Sequence, residues 1–166
     1  MNKNFTYLNK EIFDKLNLEY AGYKEETESQ EYDACQFQLN KRNIISRSSK
    51  VTPKKIGQFV TFWKRSSQGP IEPFSELDTI DYFMITTKVD EGLGLFLFPK
   101  QILIKKGILS TKNKDGKRGF RVYPPWDEVK SKQAERTQKW QQDYFYSITN
   151  SNDLLLLEKV FRISLN

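Results

Sequence analysis

Apolar positions along the chain recur at two periods. Phe5, Leu8, Ile12 and Leu16, with Phe13 beside them, are spaced by three or four residues and predict a helix over about 6–17. Cys35, Phe37 and Leu39 alternate with Ala34, Gln36 and Gln38, so 33–39 reads as a half-buried strand. The turn NKRN at 40–43 then returns the chain into a second strand over 44–49. Ile56, Phe59, Val60 and Trp63 fall at i, i+3, i+4 and i+7 behind Thr52 as an N-cap and Pro53 at the first helical position, which predicts a helix over 53–65. The clearest strands are 80–87 and 93–98, joined by the hairpin-like VDEG. GLGLFLF is apolar on both faces and belongs inside a sheet covered on both sides.

The segments between are polar. The stretch 20–32 reads as an acidic, turn-like connector, and 66–78 as a loop punctuated by Gly69, Pro70 and Pro73. A short helix over 100–107 is closed by a glycine, and a basic loop (STKNKDGKRG) leads into a strand over 120–123. After Pro124 and Pro125, Asp127 caps a long predicted helix reaching about Ile148, and a last helix starts near Asp153. The expected fold is α+β: a mixed central sheet of about five strands flanked by helices, in one domain spanning 1–166.

Composition narrows the chemistry. The chain has no histidine and one cysteine, Cys35, which excludes His-dependent triads, Cys–His dyads, thiolate zinc sites and disulfides. Catalysis would have to rest on carboxylates, lysine, tyrosine, a metal or an organic cofactor. No apolar run reaches the roughly 18 residues of a membrane span, and the N-terminus lacks the apolar region of a signal peptide, so a cytoplasmic protein without membrane partners is expected.

The net charge of +6 is unevenly distributed. Residues 41–70 hold 8 basic and no acidic side chains, and 100–121 hold 8 and 1, whereas 1–40 hold 4 and 8 and 71–99 hold 1 and 6. If the two basic blocks meet in space they make a phosphate-attracting surface; if not, they are solvated faces. Lys54 and Lys55 stand in the first turn of the predicted 53–65 helix, where a bound phosphate would turn an unfavourable dipole interaction into a favourable one. Lys117, Arg118 and Arg121 sit among Gly116 and Gly119, which allow close backbone approach, and Trp126 follows as a ring that can stack on a base. The alternative is a solvated loop with a buried tryptophan. Lys132, Arg136 and Lys139 add a basic stripe at i, i+4 and i+7.

The 80–100 hairpin allows one geometric test. Paired positions in an antiparallel hairpin sum to a constant, and a turn centred between Asp90 and Glu91 sets Asp81 opposite Lys100. A carboxylate and a lysine placed so resemble the site of PD-(D/E)XK nucleases, which hold a divalent ion through the aspartate and an acidic residue two places before the lysine. Here that position is Phe98, so one ligand is missing. Asp81 and Lys100 are therefore conditional catalytic residues, with Mg²⁺ a cofactor only if a carboxylate such as Glu28 or Glu31 reaches them; the alternative is a cross-strand ion pair. No metal ligand set is otherwise expected.

Seven runs carry a family resemblance: ESQEYDACQFQL at 28–39, KVTPKKIGQFVTFWKR at 50–65, GPIEPF at 69–74, DYFMI at 81–85, GLFLFPKQIL at 94–103, GKRGFRVYPPWD at 116–127 and QAERTQKWQQDYF at 133–145. Together they resemble the MepB family over about 28–146, leaving 147–166 as a tail outside the match. That family takes its name from a small cytoplasmic protein encoded beside a multidrug efflux pump, and the resemblance implies a cytoplasmic protein with no established enzyme activity and a fold similar to restriction-endonuclease-like nucleic-acid-binding proteins. The expected function is thus non-catalytic binding of nucleic acid, DNA first, through Lys50, Lys54, Lys55, Lys64, Arg65, Lys117, Arg118, Arg121 and Trp126. A metal-dependent nuclease and a protein-interaction module using the acidic 20–33 segment remain the alternatives.

Overall fold

The structure, a computed structural model, describes residues 1–89 and 92–163. Helix α1 (Lys3–Leu8) is capped by Asn2, whose side-chain oxygen accepts the Phe5 N–H at 2.7 Å, and runs on as a π-helical turn over Asn9–Phe13. Strands β1 (Tyr20–Glu25), β2 (Cys35–Leu39) and β3 (Arg42–Ser48) follow as an antiparallel meander. Asn40 and Lys41 both adopt positive φ, 47° and 70°, in the two-residue turn that joins β2 to β3. Four short strands come next: β4 (Lys50–Val51), β5 (Gln58–Thr61), β6 (Trp63–Arg65) and β7 (Ile71–Pro73). The chain continues through β8 (Tyr82–Val89), β9 (Gly92–Pro99), α2 (Lys100–Lys105), β10 (Gly119–Val122), α3 (Lys132–Gln141), β11 (Phe145–Ser147) and α4 (Ser151–Arg162).

The described strands form a mixed α+β fold. The main sheet runs β1-β2-β3-β8-β9-β11, antiparallel throughout except for the parallel β3–β8 pair, and small sheets β10-β5-β4 and β6-β7 lie beside it. Alternation splits the apolar residues of the central strands between two cores. Ile44, Met84, Leu95 and Leu97 face α1, its π-turn and Leu157 and Phe161 of α4. Ile45, Phe83, Ile85, Phe96 and Phe98 face Val60 and Phe62, Phe120 and Val122, and Leu103 of α2, with Phe62 stacked on Phe83 at 4.0 Å. Both faces of GLGLFLF are therefore covered, as its composition predicts. The tail is tied in as well: buried Arg42 donates to Phe161 O at 2.9 Å and to Ile163 O, satisfying carbonyls at the end of α4. No helix among the described residues is long and apolar enough to cross a membrane.

Three expectations need correction. The 53–65 helix is absent; that segment is a turn followed by β5 and β6. Lys54 and Gly57 have φ of 68° and 84°, outside any helix, and from Gln58 onward buried Gln58, Val60 and Phe62 alternate with half-buried Phe59, Thr61 and Trp63. Lys54 and Lys55 consequently occupy a turn rather than a helix start. The 20–32 connector contains an edge strand, β1, because its residues pair with β2 although they bury little. The helix expected over 127–148 shrinks to α3, capped by Ser131 in place of Asp127, and Phe145–Ser147 leaves it to pair with β9. The main sheet, with six strands among the described residues, agrees with the mixed sheet of about five that was expected. The centre of the β8–β9 turn, Asp90 and Glu91, lies outside the described residues, but the register Tyr82↔Pro99 gives the predicted sum.

Candidate nucleic-acid interface

Strand pairing joins the two basic blocks. Arg121 of β10 lies opposite Phe59 of β5, which lies opposite Lys50 of β4, so the three form one cross-strand row on one face of the small sheet. The Arg121 guanidinium donates to Ile56 O at 3.2 Å and to Thr52 Oγ1, fastening the 52–57 turn against β10. Gly57 completes that clasp: besides its positive φ, a Cβ there would come within 2.7 Å of the Tyr123 ring. The turn presents Lys54 and Lys55 to solvent beside β10.

Two concavities flank this clasp. One, of about 370 Å³, lies between β10 and α3 and is lined by Lys106, Lys117, Arg121, Tyr123, Gln133, Thr137 and Trp140 over a floor that includes Phe120 and Gln141. Among the described residues its wall has three cations and no carboxylate. Gln141, fully buried, accepts from Tyr123 N at 2.8 Å and donates to Arg121 O at 2.9 Å, so its amide takes the place of a further strand at the edge of β10. The second, about 530 Å³, is an open groove where Val51, Lys55, Ile56, Lys88 and Lys130 meet Trp126, with Asp127 and Glu128 at its side. Trp126 is 49% exposed, its ring meeting Phe145 edge-on at 5.3 Å. It is thus available at the surface rather than a plug in the core.

The predicted cations divide into two sets. Lys54, Lys55, Lys117 and Arg118 are exposed and make no ion pair with any described residue. Lys64 and Arg65 are already neutralised: Lys64 by Asp78 at 2.7 Å and Glu72 at 3.8 Å, Arg65 by Glu28 through contacts of 2.6 and 3.3 Å. The bond to Glu28 also raises the guanidinium's proton affinity above the ordinary arginine value. Lys50 sits over the Tyr32 ring at 4.8 Å. Through Glu28 on Arg65 and Glu26 on Arg47, the acidic 20–33 segment supplies counter-charge to part of the first basic block. Gly116 and Gly119 have a different role from the one expected: a Cβ on Gly116 would lie 2.3 Å from Ile108 O, and one on Gly119 2.6 Å from the Phe59 ring, so the protein's own packing uses the space. Lys106, Gln133, Thr137 and Trp140 were not among the predicted site residues; the signal for the last three was their i, i+4, i+7 spacing on α3.

Asp81 and Lys100 are neighbours in register, with Lys100 N donating to Asp81 O at 3.0 Å, but their side chains go to other partners. The Asp81 carboxylate accepts from Asn43 N at 2.7 Å and Asn43 Nδ2 at 3.2 Å, and Lys100 Nζ donates to Asp78 O at 2.8 Å. Phe98 is fully buried against Phe96, Trp140 and Tyr144. Among the described residues no three of Cys, Asp and Glu are grouped to hold a metal ion.

A family profile described as MepB-like matches residues 26–147. The crystal structure of MepB superposes with a TM-score of 0.77 at 36% sequence identity, over 91% of this chain and 100% of the other. No curated protein matches the chain.

Proposed function

The chain belongs to the MepB-like family, and we propose that it binds nucleic acid through the phosphate backbone without cleaving it. The carrying observation is the β5–β10 pairing, which merges two basic blocks and leaves Lys54, Lys55, Lys117 and Arg118 around it with no ion pair to any described residue. Phosphodiesters supply the missing counter-charge, and release of their counterions drives association. Trp126, half exposed beside Lys55 and Lys130, offers a stacking platform next to those charges. Such contacts hold a strand in place while reading little of its sequence. The non-cleaving reading is supported by the side chains of Asp81 and Lys100, each engaged by backbone or amide groups, and by Phe98 standing where a second ligand would be required.

The test is a titration of labelled single- and double-stranded DNA at two salt concentrations, with and without Mg²⁺. Affinity that falls steeply with salt, varies little with sequence and leaves the strand intact supports the reading. Absence of binding at low salt ends it, and Mg²⁺-dependent cleavage lost in Asp81→Asn would replace it with a nuclease.

A further inference from the structure

The β10–α3 concavity differs from the rest of the basic surface in shape and in charge. Lys106, Lys117 and Arg121 converge on it with no carboxylate in the wall among the described residues, and α3 supplies Gln133, Thr137 and Trp140 from one helical face. Its floor is closed, because Phe120, Ile108 and Gln141 are buried there. Lys106 Nζ lies 5.5 Å from the centre of the Trp140 ring, so its charge rests on a π-face and stays available to an anion.

From this we infer that the pocket takes the terminal phosphomonoester of a nucleic-acid strand, an assignment that rests on the backbone-binding reading above and gives it polarity. Two arguments select an end over an internal phosphate. One is size: over its closed floor the concavity holds about 370 Å³, near the lower end of the roughly 300–1,000 Å³ of small-molecule sites, room for about one nucleotide rather than a run of them. Charge points the same way. An internal diester carries a single negative charge, whereas a terminal monoester carries about −1.5 to −2 at pH 7 and three acceptor oxygens, the better match for three cations and the Gln133 and Thr137 donors. The exposed stripe of Lys132, Arg136 and Lys139 occupies the next face of α3, about 100° round the helix, where the strand leaving the pocket finds further counter-charge.

The experiment compares one labelled single-stranded oligodeoxynucleotide in three forms, bearing a 5′-phosphate, a 3′-phosphate or hydroxyls at both ends, against the full chain at low salt. One phosphorylated form is expected to bind about tenfold tighter than the hydroxyl form, the value of one added charge-assisted hydrogen-bond group. Gln133→Glu, which puts a carboxylate into the pocket wall at an exposed position, is expected to abolish that preference with an unchanged melting temperature. Lys55→Ala, outside the pocket, should weaken all three forms by the same factor and preserve their ratio. Equal affinity for all three forms, with salt-dependent binding intact, overturns the end-recognition assignment and leaves backbone binding standing. If no form binds, both fall. A free deoxynucleoside monophosphate that displaces the phosphorylated strand at equal concentration reassigns the pocket to a small nucleotide and overturns the strand-end proposal.

Discussion

Arg47, fully buried in β3, donates through Nη2 to Glu26 Oε2 at 2.5 Å, pinning the acidic stretch after β1 to the basic block that follows β2. Arg47 Nη1 donates to Ser46 O at 2.9 Å, and the second Glu26 oxygen accepts from Gln36 Nε2 at 2.8 Å. Burial lowers the guanidinium's proton affinity and Glu26 opposes that shift. The asymmetry of such a pair makes a prediction. Glu26→Gln leaves a cation inside the fold without its counter-ion and should cost roughly 3–5 kcal/mol of stability. Arg47→Met removes the buried charge itself and fills similar volume, so it should cost clearly less, although it deletes the same ion pair. Urea unfolding of the two variants checks the order; equal losses would mean that the pair is worth its contact alone.

The same pairing logic ranks the surface cations. Lys55→Ala, Lys117→Ala and Arg118→Ala should each lower the slope of log affinity against log salt by about 0.7–0.9, one phosphate neutralised per residue. Lys64→Ala and Arg65→Ala should leave it near the parent value, because Asp78, Glu72 and Glu28 already hold those charges. Anisotropy titrations over a salt series distinguish the sets. A uniform loss across all five would show that net charge, not position, governs binding.

Strands β2, β3, β8 and β9 were legible because a half- or fully buried strand writes its burial into local alternation, and the hairpin sum even located Asp81 beside Lys100. The 53–65 stretch misleads because Ile56, Phe59, Val60 and Trp63 fit a helical stripe, while the partner that makes 58–61 a strand, β10, arrives much later in the chain. Phe145 escapes the long helix for a similar reason. Its ring fills the space above Gly94, where a Cβ would approach within 2.3 Å, a fit between distant residues that local spacing does not record. At the candidate site the basic blocks were visible and their neutralisation was not: Arg65 and its partner Glu28 are 37 residues apart. The β10–α3 pocket was missed because its wall combines the 100–121 block with a face of α3 that looks polar and ordinary on its own.

Trp126 and Trp140 should differ sharply in what they contribute to stability. Trp126 is half exposed and touches Phe145 only edge-on, so Trp126→Ala should cost about 1 kcal/mol of stability or less. If its ring stacks on a base, affinity should fall by roughly 1–3 kcal/mol with the salt slope unchanged. Trp140 packs against Phe98 at 5.3 Å and near Tyr144, so Trp140→Ala should destabilise the fold by ~3 kcal/mol. Melting temperature measured alongside affinity reads both; a Trp126 variant that melts early yet binds normally once folded would assign that ring to packing.

Cys35 supplies a prediction at alkaline pH. It is 1% exposed in β2, and burial pushes its thiol from 9.0 up to about 11, with the neighbouring Arg47 charge pulling the other way. Tyr23, packed on Phe5, is likewise raised by burial, from 10.0 to about 12. Between the unfolded and folded values the unfolded chain has released a proton that the native state retains, so the unfolded state binds fewer protons and stability falls as pH rises. Stability from these groups should hold up to about pH 9, decline through the thiol's window by roughly 2–3 kcal/mol, and decline again above pH 10 as Tyr23 joins. In Cys35→Ala, less stable at neutral pH because of the cavity it leaves, the decline should begin only near pH 10. Urea midpoints measured from pH 7 to 11 follow this directly. Alkylation supplies the independent readout, since a buried thiol held protonated should resist iodoacetamide in the native state at pH 8 and react on unfolding. Rapid native-state labelling would place Cys35 at the surface and remove the basis for the alkaline shift.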